Sequence, residues 1–459
     1  MRSRSTALCV TTMKTPICDF VREYVSRGTS RMHVPGHGGK GPLGFELLDL
    51  TEVNGADDLF HASGVIKKSE QNASRIFGCP TYYSTEGSSL CIRAMLYLAY
   101  KYAVQNGRKP LVLAGRNAHK AFFSAAALLG FDVSYIYSES YLKCVVTPDS
   151  LLGYIKKNGA PTALYVTTPD YIGNITPLND LSHICRRYGI LLIVDNAHGA
   201  YLKFDSSLHH PIDVGADLCC DSAHKTLPVL TGGAYLHVSP RLSDVFGDKE
   251  VREALSLFAS SSPSYLILQS LDAVNPYLQK GFAADLKRTE KRVSAMKKRI
   301  SALGFELSGD EPMKTVIKPK SYGYTGTALA DILRKENIEC EYADPDHLVL
   351  MPSVNTTEEE FSKTESVLSA LPKKRAIKKS PPALAAPEVV MSLREAFVLP
   401  SEELPAEKCI GRIASSVTVG CPPAVPVVVG GELIDENAVR VMKYYGIKKC
   451  RVISEFNRF

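Results

Sequence analysis

Between residues 80 and 240 this chain alternates short apolar runs with stretches long enough for a helical crossover, and few architectures accept that pattern. Residues 110–113, 131–137, 163–167, 190–194, 216–220 and 233–238 read as strands. Segments 150–158 and 178–188 read as helices between them, and a longer helix runs over 90–105 to end before Gly107. The run Ile190-Leu191-Leu192-Ile193-Val194 has no polar alternation, so it belongs to a strand covered on both faces. An α/β class with a mostly parallel sheet between helical layers is expected.

Two chemistry-bearing residues close such runs. Asp195 follows Val194, and Lys225 stands in Asp221-Ser222-Ala223-His224-Lys225-Thr226-Leu227-Pro228, just after the run 216–220. An isolated lysine carries no information, because most lysines are solvated. Here its neighbours are hydroxyls and an imidazole rather than acids that would pair with it. A carboxylate and a lysine at the carboxyl ends of buried parallel strands face the crevice where open α/β sheets bind ligands. Pyridoxal 5'-phosphate asks for that pair: an amine to bond its aldehyde and a carboxylate to keep its ring nitrogen protonated as an electron sink.

The stretch Tyr83-Ser84-Thr85-Glu86-Gly87-Ser88-Ser89 opens the helix over 90–105. Gly87 lets backbone approach a phosphate, the helix start offers unpaired N–H groups, and Ser88 and Ser89 add donors. Taken alone, the stretch reads as an ordinary serine N-cap, and it is its place upstream of Asp195 and Lys225 that makes the phosphate cradle the better reading. Ser222 and His224 bracket Lys225 and can reach the same phosphate. His119, after the strand at 110–113, can stack on a flat ring. His198, three residues after Asp195, can hydrogen-bond the cofactor's phenolic oxygen or be a satisfied turn histidine.

The rest of the chain extends this plan. A basic amphipathic helix spans 281–303 and stops at Gly304, where a glycine cap belongs. Two strand–helix units follow, 314–318 with 327–336 and 348–351 with 357–371. The basic stretch Lys373-Lys374-Arg375-Ala376-Ile377-Lys378-Lys379 precedes a Pro/Ala-rich segment over 381–387 and reads as a solvated linker rather than a nucleic-acid arm. The expected domains are an N-terminal arm (1–70), a cofactor-binding large domain (71–280), a small α+β domain (281–372), a linker (373–390) and a C-terminal domain (391–459).

With 45% hydrophobic and 22% charged residues, a large core is available and wholesale disorder is excluded. Twelve cysteines without CxxC spacing fit reduced thiols, Cys219 and Cys220 among them as small core residues. No apolar run approaches a membrane span, and Met1–Val10 lacks the hydrophobic core of a signal peptide. A cytoplasmic protein is expected, with no membrane or nucleic-acid partner and no metal site.

Several linked motifs in order resemble the bacterial Orn/Lys/Arg decarboxylase family, in its short form without an N-terminal wing domain. They are Thr15-Pro16-Ile17-Cys18-Asp19-Phe20, His33-Val34-Pro35-Gly36-His37-Gly38-Gly39, Thr51-Glu52-Val53-Asn54-Gly55-Ala56-Asp57-Asp58-Leu59, Thr168-Pro169-Asp170-Tyr171-Ile172-Gly173, the Asp195 and Lys225 motifs, Ser392-Leu393-Arg394-Glu395-Ala396-Phe397, and Pro422-Pro423-Ala424-Val425-Pro426-Val427-Val428-Val429-Gly430-Gly431-Glu432. The resemblance implies a fold-type-I pyridoxal-phosphate enzyme that decarboxylates arginine, lysine or ornithine to agmatine, cadaverine or putrescine, for polyamine biosynthesis. Arginine and lysine lead as substrates. It implies that Lys225 holds the cofactor, Asp195 its ring nitrogen, His119 its face, and Gly87, Ser88, Ser89, Ser222 and His224 its phosphate.

The resemblance also implies at least a homodimer, with segment 53–61 reading as an arm that reaches across, and a functional start at Met13. Glu432 is expected to sense the substrate's distal charge, or else to be a glutamate favoured at a helix start. Three departures stand out. Glu86 sits where the family has asparagine and brings a negative charge to a phosphate loop. Gly430 replaces the proline before Gly431-Glu432. Asn196 replaces a glutamate, with no expected consequence for the ring nitrogen. The same Lys–Asp pair would serve an aminotransferase, and an inactive cofactor-binding regulator is a further alternative.

Overall fold

The computed structural model of the chain describes residues 13–138, 140, 142–416 and 425–455. The segment ahead of Met13, and Pro422, Pro423 and Ala424 of the tail motif, lie outside the described residues.

Seven strands form one sheet: β1 (Thr81–Ser84), β2 (Leu111–Gly115), β3 (Asp132–Ile136), β4 (Ala163–Thr167), β5 (Leu191–Asp195), β6 (Leu218–Asp221) and β7 (Ala234–Val238). Their spatial order is β1-β7-β6-β5-β4-β2-β3. Strands β3, β2, β4, β5 and β6 run parallel, and β7 is antiparallel to both β6 and β1. The apolar run at 190–194 is buried on both faces, as its lack of alternation requires. Leu192 and Val194 join one core cluster, Leu191 and Ile193 the other.

Helices α1 (Pro16–Ser26), α2 (Val65–Phe77), α3 (Gly87–Gln105), α4 (Lys120–Leu129), α5 (Pro148–Asn158), α6 (Leu178–Tyr188), the single turn α7 (Ala223–Thr226), α8 (Asp248–Ser256) and α9 (Tyr265–Lys280) accompany the sheet. Ile17 of α1, Phe77 of α2, Leu181 of α6 and Leu268 of α9 enter the first cluster. Met95 of α3, Phe122 of α4 and Val251 of α8 enter the second. The two clusters therefore sit on opposite faces of the sheet.

Within this sheet, β6 and β1 differ from the sequence reading. β6 starts at Leu218, later than the run 216–220, because the Asp217 carboxylate turns to accept the Leu192 N–H at 2.9 Å. β1 was not anticipated: Thr81-Tyr82-Tyr83-Ser84 carries a hydroxyl on every side chain, yet all four residues are buried.

Beyond α9, the long helix α10 (Phe282–Ala302) leads into a four-stranded antiparallel sheet of β8 (Glu306–Ser308), β9 (Thr315–Lys318), β10 (Tyr342–Ala343) and β11 (Leu348–Leu350), ordered β10-β11-β9-β8. Helices α11 (Gly326–Lys335) and α12 (Glu358–Ser369) pack on it through Leu329, Leu333, Phe361 and Leu368. The tail holds α13 (Leu393–Val398), β12 (Ser401–Pro405), α14 (Glu436–Tyr444) and β13 (Lys449–Ile453), with β12 and β13 antiparallel.

The basic segment before the tail is exposed but fastened. Lys374 N–H donates to Tyr322 O at 3.1 Å and Ile377 N–H to Lys320 O at 2.9 Å, and the Lys374 ammonium lies 4.2 Å from the Tyr324 ring centre. The segment 53–61 does not reach outward as an arm. Ala56 and Leu59 are buried in the chain's own first cluster, and Tyr265 Oη donates to Ala56 O at 3.0 Å. The Asp57 carboxylate also accepts the Gly64 and Ile66 N–H groups, at 2.8 and 3.0 Å. Cys219 and Cys220 are buried core residues whose thiols burial pushes well above their usual range. No described helix is long and apolar enough to cross a membrane.

Candidate active site

Parallel pairing puts the carboxyl ends of β4, β5 and β6 at one sheet edge. Thr167 pairs with Asp195, and Asp195 with Cys220. Asp195 is buried, its Oδ2 accepting the Tyr165 hydroxyl at 3.0 Å and its Oδ1 the Ala197 N–H at 3.2 Å. Burial pushes the Asp195 carboxyl up, and the Lys225 charge pulls it back. Among the described residues its hydrogen-bond donors are all neutral, so a buried carboxylate is left without a cation on it.

The turn after β6 carries Lys225 over the same edge, its Nζ 3.0 Å from His198 Nε2. Burial, followed by the Lys225 charge, holds the His198 imidazole far below its usual range, so it is neutral. The Tyr171 ring packs edge-on against it at 4.9 Å. His198 Nδ1 is buried with no partner among the described residues.

His119 caps α4, its Nδ1 accepting the Ala121 N–H at 3.1 Å. Burial and then the Lys225 charge bring its pKa down to about 3. A neutral imidazole thus stands at the end of β2, within electrostatic reach of Lys225.

The phosphate candidates meet at the start of α3. Ser222 Oγ donates to Ser88 Oγ at 2.7 Å, joining the two motifs across 134 residues. Gly87 takes a φ of +69°, a left-handed conformation that side chains disfavour, and its own N–H is spent on Gly232 O at 2.7 Å. Gly87 therefore serves as the bend rather than as a donor.

The N-cap position belongs to Glu86, which makes no side-chain cap, so the serine-cap reading is not what the structure has. The Glu86 carboxylate instead accepts the Ser260 N–H at 2.8 Å, turned from the helix axis towards another loop. Ser89 lies in the uncapped first turn. His224 Nδ1 bonds Gly233 O at 3.0 Å, which fixes its proton there. Burial, with Lys225, keeps this ring neutral, and an anion at Nε2 would draw a second proton onto it.

Glu432 is elsewhere. It is fully buried and paired with Arg116, whose Nη2 lies 2.9 Å from Oε2. Its Oε2 also accepts the Val429 N–H at 2.8 Å. The helix-start reading fails too, because α14 is capped by Asp435. As placed, Glu432 presents no unspent charge to a substrate.

Sequence reasoning quoted Asp170 and Tyr171 within a motif but gave them no role, nor one to Arg116 three residues before His119, and it missed Lys314 and a histidine pair. Lys314 is a buried lysine that donates to Asp170 O at 2.8 Å, its ammonium held down by burial. Asp221 Oδ2 sits 3.1 Å from both His210 Nε2 and His237 Nε2, all three fully buried. Asp221 Oδ1 accepts Asn196 Nδ2 at 2.7 Å, so Asn196 ties the ends of β5 and β6 together. No one-dimensional signal joins His210, Asp221 and His237.

These residues fit pyridoxal 5'-phosphate. Asp195 lacks a cation, His198 Nδ1 lacks a partner, and an uncapped helix start faces hydroxyls with its one acid turned away. Residues 15–318 match the family Orn/Lys/Arg decarboxylase, major domain. An uncharacterized protein, YaaO, of Bacillus subtilis is 28% identical, over 93% of this chain and 93% of its own. An arginine decarboxylase of Halalkalibacterium halodurans is 28% identical, over 92% of each chain. The structure of the constitutive lysine decarboxylase of E. coli superposes with a TM-score of 0.75 at 16% identity, over 96% of this chain and 82% of that one. The fold is that of the type I pyridoxal-phosphate enzymes. With two thirds of its length matched by the family's major domain, the chain belongs to the Orn/Lys/Arg decarboxylase family.

Proposed function

We propose that the protein decarboxylates a basic amino acid, arginine first and lysine or ornithine next, with pyridoxal 5'-phosphate as cofactor. When bound, that group supplies an electron sink for the pair left behind by the departing CO2. Lys225 holds it by its amine. Asp195, buried and facing only neutral donors, holds the proton of the ring nitrogen. His119 covers the ring, and Ser88, Ser89, Ser222, His224 and the first-turn amides of α3 bind the phosphate. Neutral His198, 3.0 Å from Lys225, helps hold the proton that replaces CO2 on the substrate's α-carbon. One amino acid and one proton thus yield one amine and one CO2.

The observation that carries this reading is the buried Asp195 carboxylate without a cation, on the same sheet edge as Lys225, in a chain of this family. Incubating the purified protein and cofactor with arginine, lysine and ornithine, then assaying CO2 and agmatine, cadaverine and putrescine, tests it. No product from any of the three would end the proposal.

The aminotransferase reading calls for a carboxylate-binding arginine in the second sheet unit. Arg334 is instead half-exposed and paired with Asp331 and Glu339, at 3.0 and 2.9 Å. The inactive-regulator reading leans on the Glu86 and Gly430 departures, and of these the Glu86 carboxylate turns to Ser260.

A further inference from the structure

A basic substrate needs an anion at its far end, and the carboxylates around Lys225 can be sorted by what they already do. Asp195 belongs to the cofactor. Asp221 is spent on two histidines and Glu432 on Arg116. Asp170 closes its own turn, accepting the Ile172 and Asn174 N–H groups at 3.0 and 2.8 Å. Glu311 takes the Tyr201 hydroxyl and the Lys314 N–H.

Glu341 is different. One carboxylate oxygen accepts a single neutral donor, the Tyr171 hydroxyl, at 2.7 Å, and the side chain is only partly buried. No described cation forms an ion pair with it. Its backbone N–H is fixed to Val349 O at 3.0 Å, so the residue sits on the rigid edge of the second sheet. The same Tyr171 ring lies 4.9 Å from the His198 ring, and His198 Nε2 is 3.0 Å from Lys225 Nζ. Glu341 is thus one tyrosine and one histidine away from the amine that marks the reacting end. Its charge also acts on His224 and Lys314, opposing in small part the lowering that burial imposes on both.

We infer that Glu341 binds the distal cation of the substrate, with Tyr171 orienting its carboxylate. The inference rests on the proposed function and replaces Glu432 in that role. A charged acceptor on a sheet edge, held by one neutral hydroxyl, keeps an oxygen for a guanidinium or ammonium. A basic side chain then spans from the α-carbon at Lys225 to Glu341.

The test compares arginine with citrulline, its uncharged isostere, in wild type and in Glu341→Gln. If lysine proves to be the substrate, norleucine takes the place of citrulline. Wild type should favour the cation by about 30-fold or more in kcat/KM, the ratio that about 2 kcal/mol makes. In Glu341→Gln the KM for the cation should rise about as much while the neutral analogue is unchanged, bringing the ratio below about threefold. Glu341→Asp should restore part of it, and Tyr171→Phe should reduce it without abolishing it. A structural role would lower both substrates together and leave the ratio intact, and that result overturns the assignment. If wild type decarboxylates none of arginine, lysine or ornithine, the proposed function itself falls. Wild-type turnover with an unchanged ratio in Glu341→Gln sinks the Glu341 assignment alone.

Discussion

Arg116 and Glu432, 316 residues apart, form a buried pair with Nη2 2.9 Å and Nε 3.3 Å from the two carboxylate oxygens. The guanidinium also donates to Pro426 O and Val427 O at 3.0 and 3.1 Å, and lies over the Phe123 and Tyr135 rings at 5.7 and 5.5 Å. It fastens the tail to the carboxyl end of β2, directly before His119. Removing one partner of such a pair strands a buried charge, so Arg116→Ala and Glu432→Ala should each destabilise by about 3–5 kcal/mol in urea unfolding. The double variant should lose less than the sum of the two. Single variants costing under about 1 kcal/mol would show the pair to be dispensable. A Glu432→Gln variant with a raised KM at unchanged stability would return Glu432 to the substrate.

Lys225 and Asp195 were legible because Asp195 closes one apolar run and Lys225 closely follows another, and parallel pairing brings such ends to one edge. Their cofactor roles yield separate outcomes. Lys225→Ala should lose the visible absorbance of lysine-bound cofactor after dialysis, together with all turnover. Asp195→Asn keeps the shape but removes the charge, so cofactor should stay bound while turnover falls by about 10²-fold or more. Activity within a few-fold of wild type would mean another group serves the ring nitrogen.

What the sequence hid has physical reasons. The Arg116 pairing of Glu432 was not legible, because a salt bridge to a residue 316 positions away leaves no periodicity and the loop ahead of the Asp435 cap looks like a helix start. Glu86 looked hostile to a phosphate until its backbone partner at Ser260 was known. β12 carries no strand signal because Ser401-Glu402-Glu403 holds no fully buried side chain, the buried residues of this two-stranded sheet being Cys450 and Val452 of β13. Gly87 is legible as a point of close backbone approach, whereas its left-handed bend and its N–H bond to Gly232 are set by the fold.

A homodimer is expected. Ahead of segment 53–61 the chain exposes large apolar side chains: Met32 at 95%, Val34 and Leu43 at 68%, and Phe45 at 45%. Exposed apolar side chains concentrated in this way mark association surfaces. Light scattering should give at least twice the chain mass, and Met32→Lys with Leu43→Lys should shift it towards one chain with loss of turnover. A wild-type monomer with full activity at assay concentration would contradict the expectation.

Stability should respond to pH through Glu290 on α10, which faces Asp205. Glu290 Oε1 and Asp205 Oδ2 are both buried with no donor among the described residues, and one shared proton would satisfy both. Burial first, and Asp205 second, push the Glu290 carboxyl up to about 8. An unfolded glutamate titrates near 4.3, so between about pH 4.3 and 8 the native state binds one proton more than the unfolded chain. That sign makes this site's contribution fall as pH rises through the window. It is fully present below the unfolded value and lost above about 8. Glu290→Gln mimics the protonated form and should therefore stabilise by about 1–2 kcal/mol at pH 8, after allowance for solvent screening at a partly exposed site, and by almost nothing at pH 5. Urea midpoints of both proteins at the two pH values decide it, and an equal shift at pH 5 and pH 8 would mean that Glu290 is ionised in the native state.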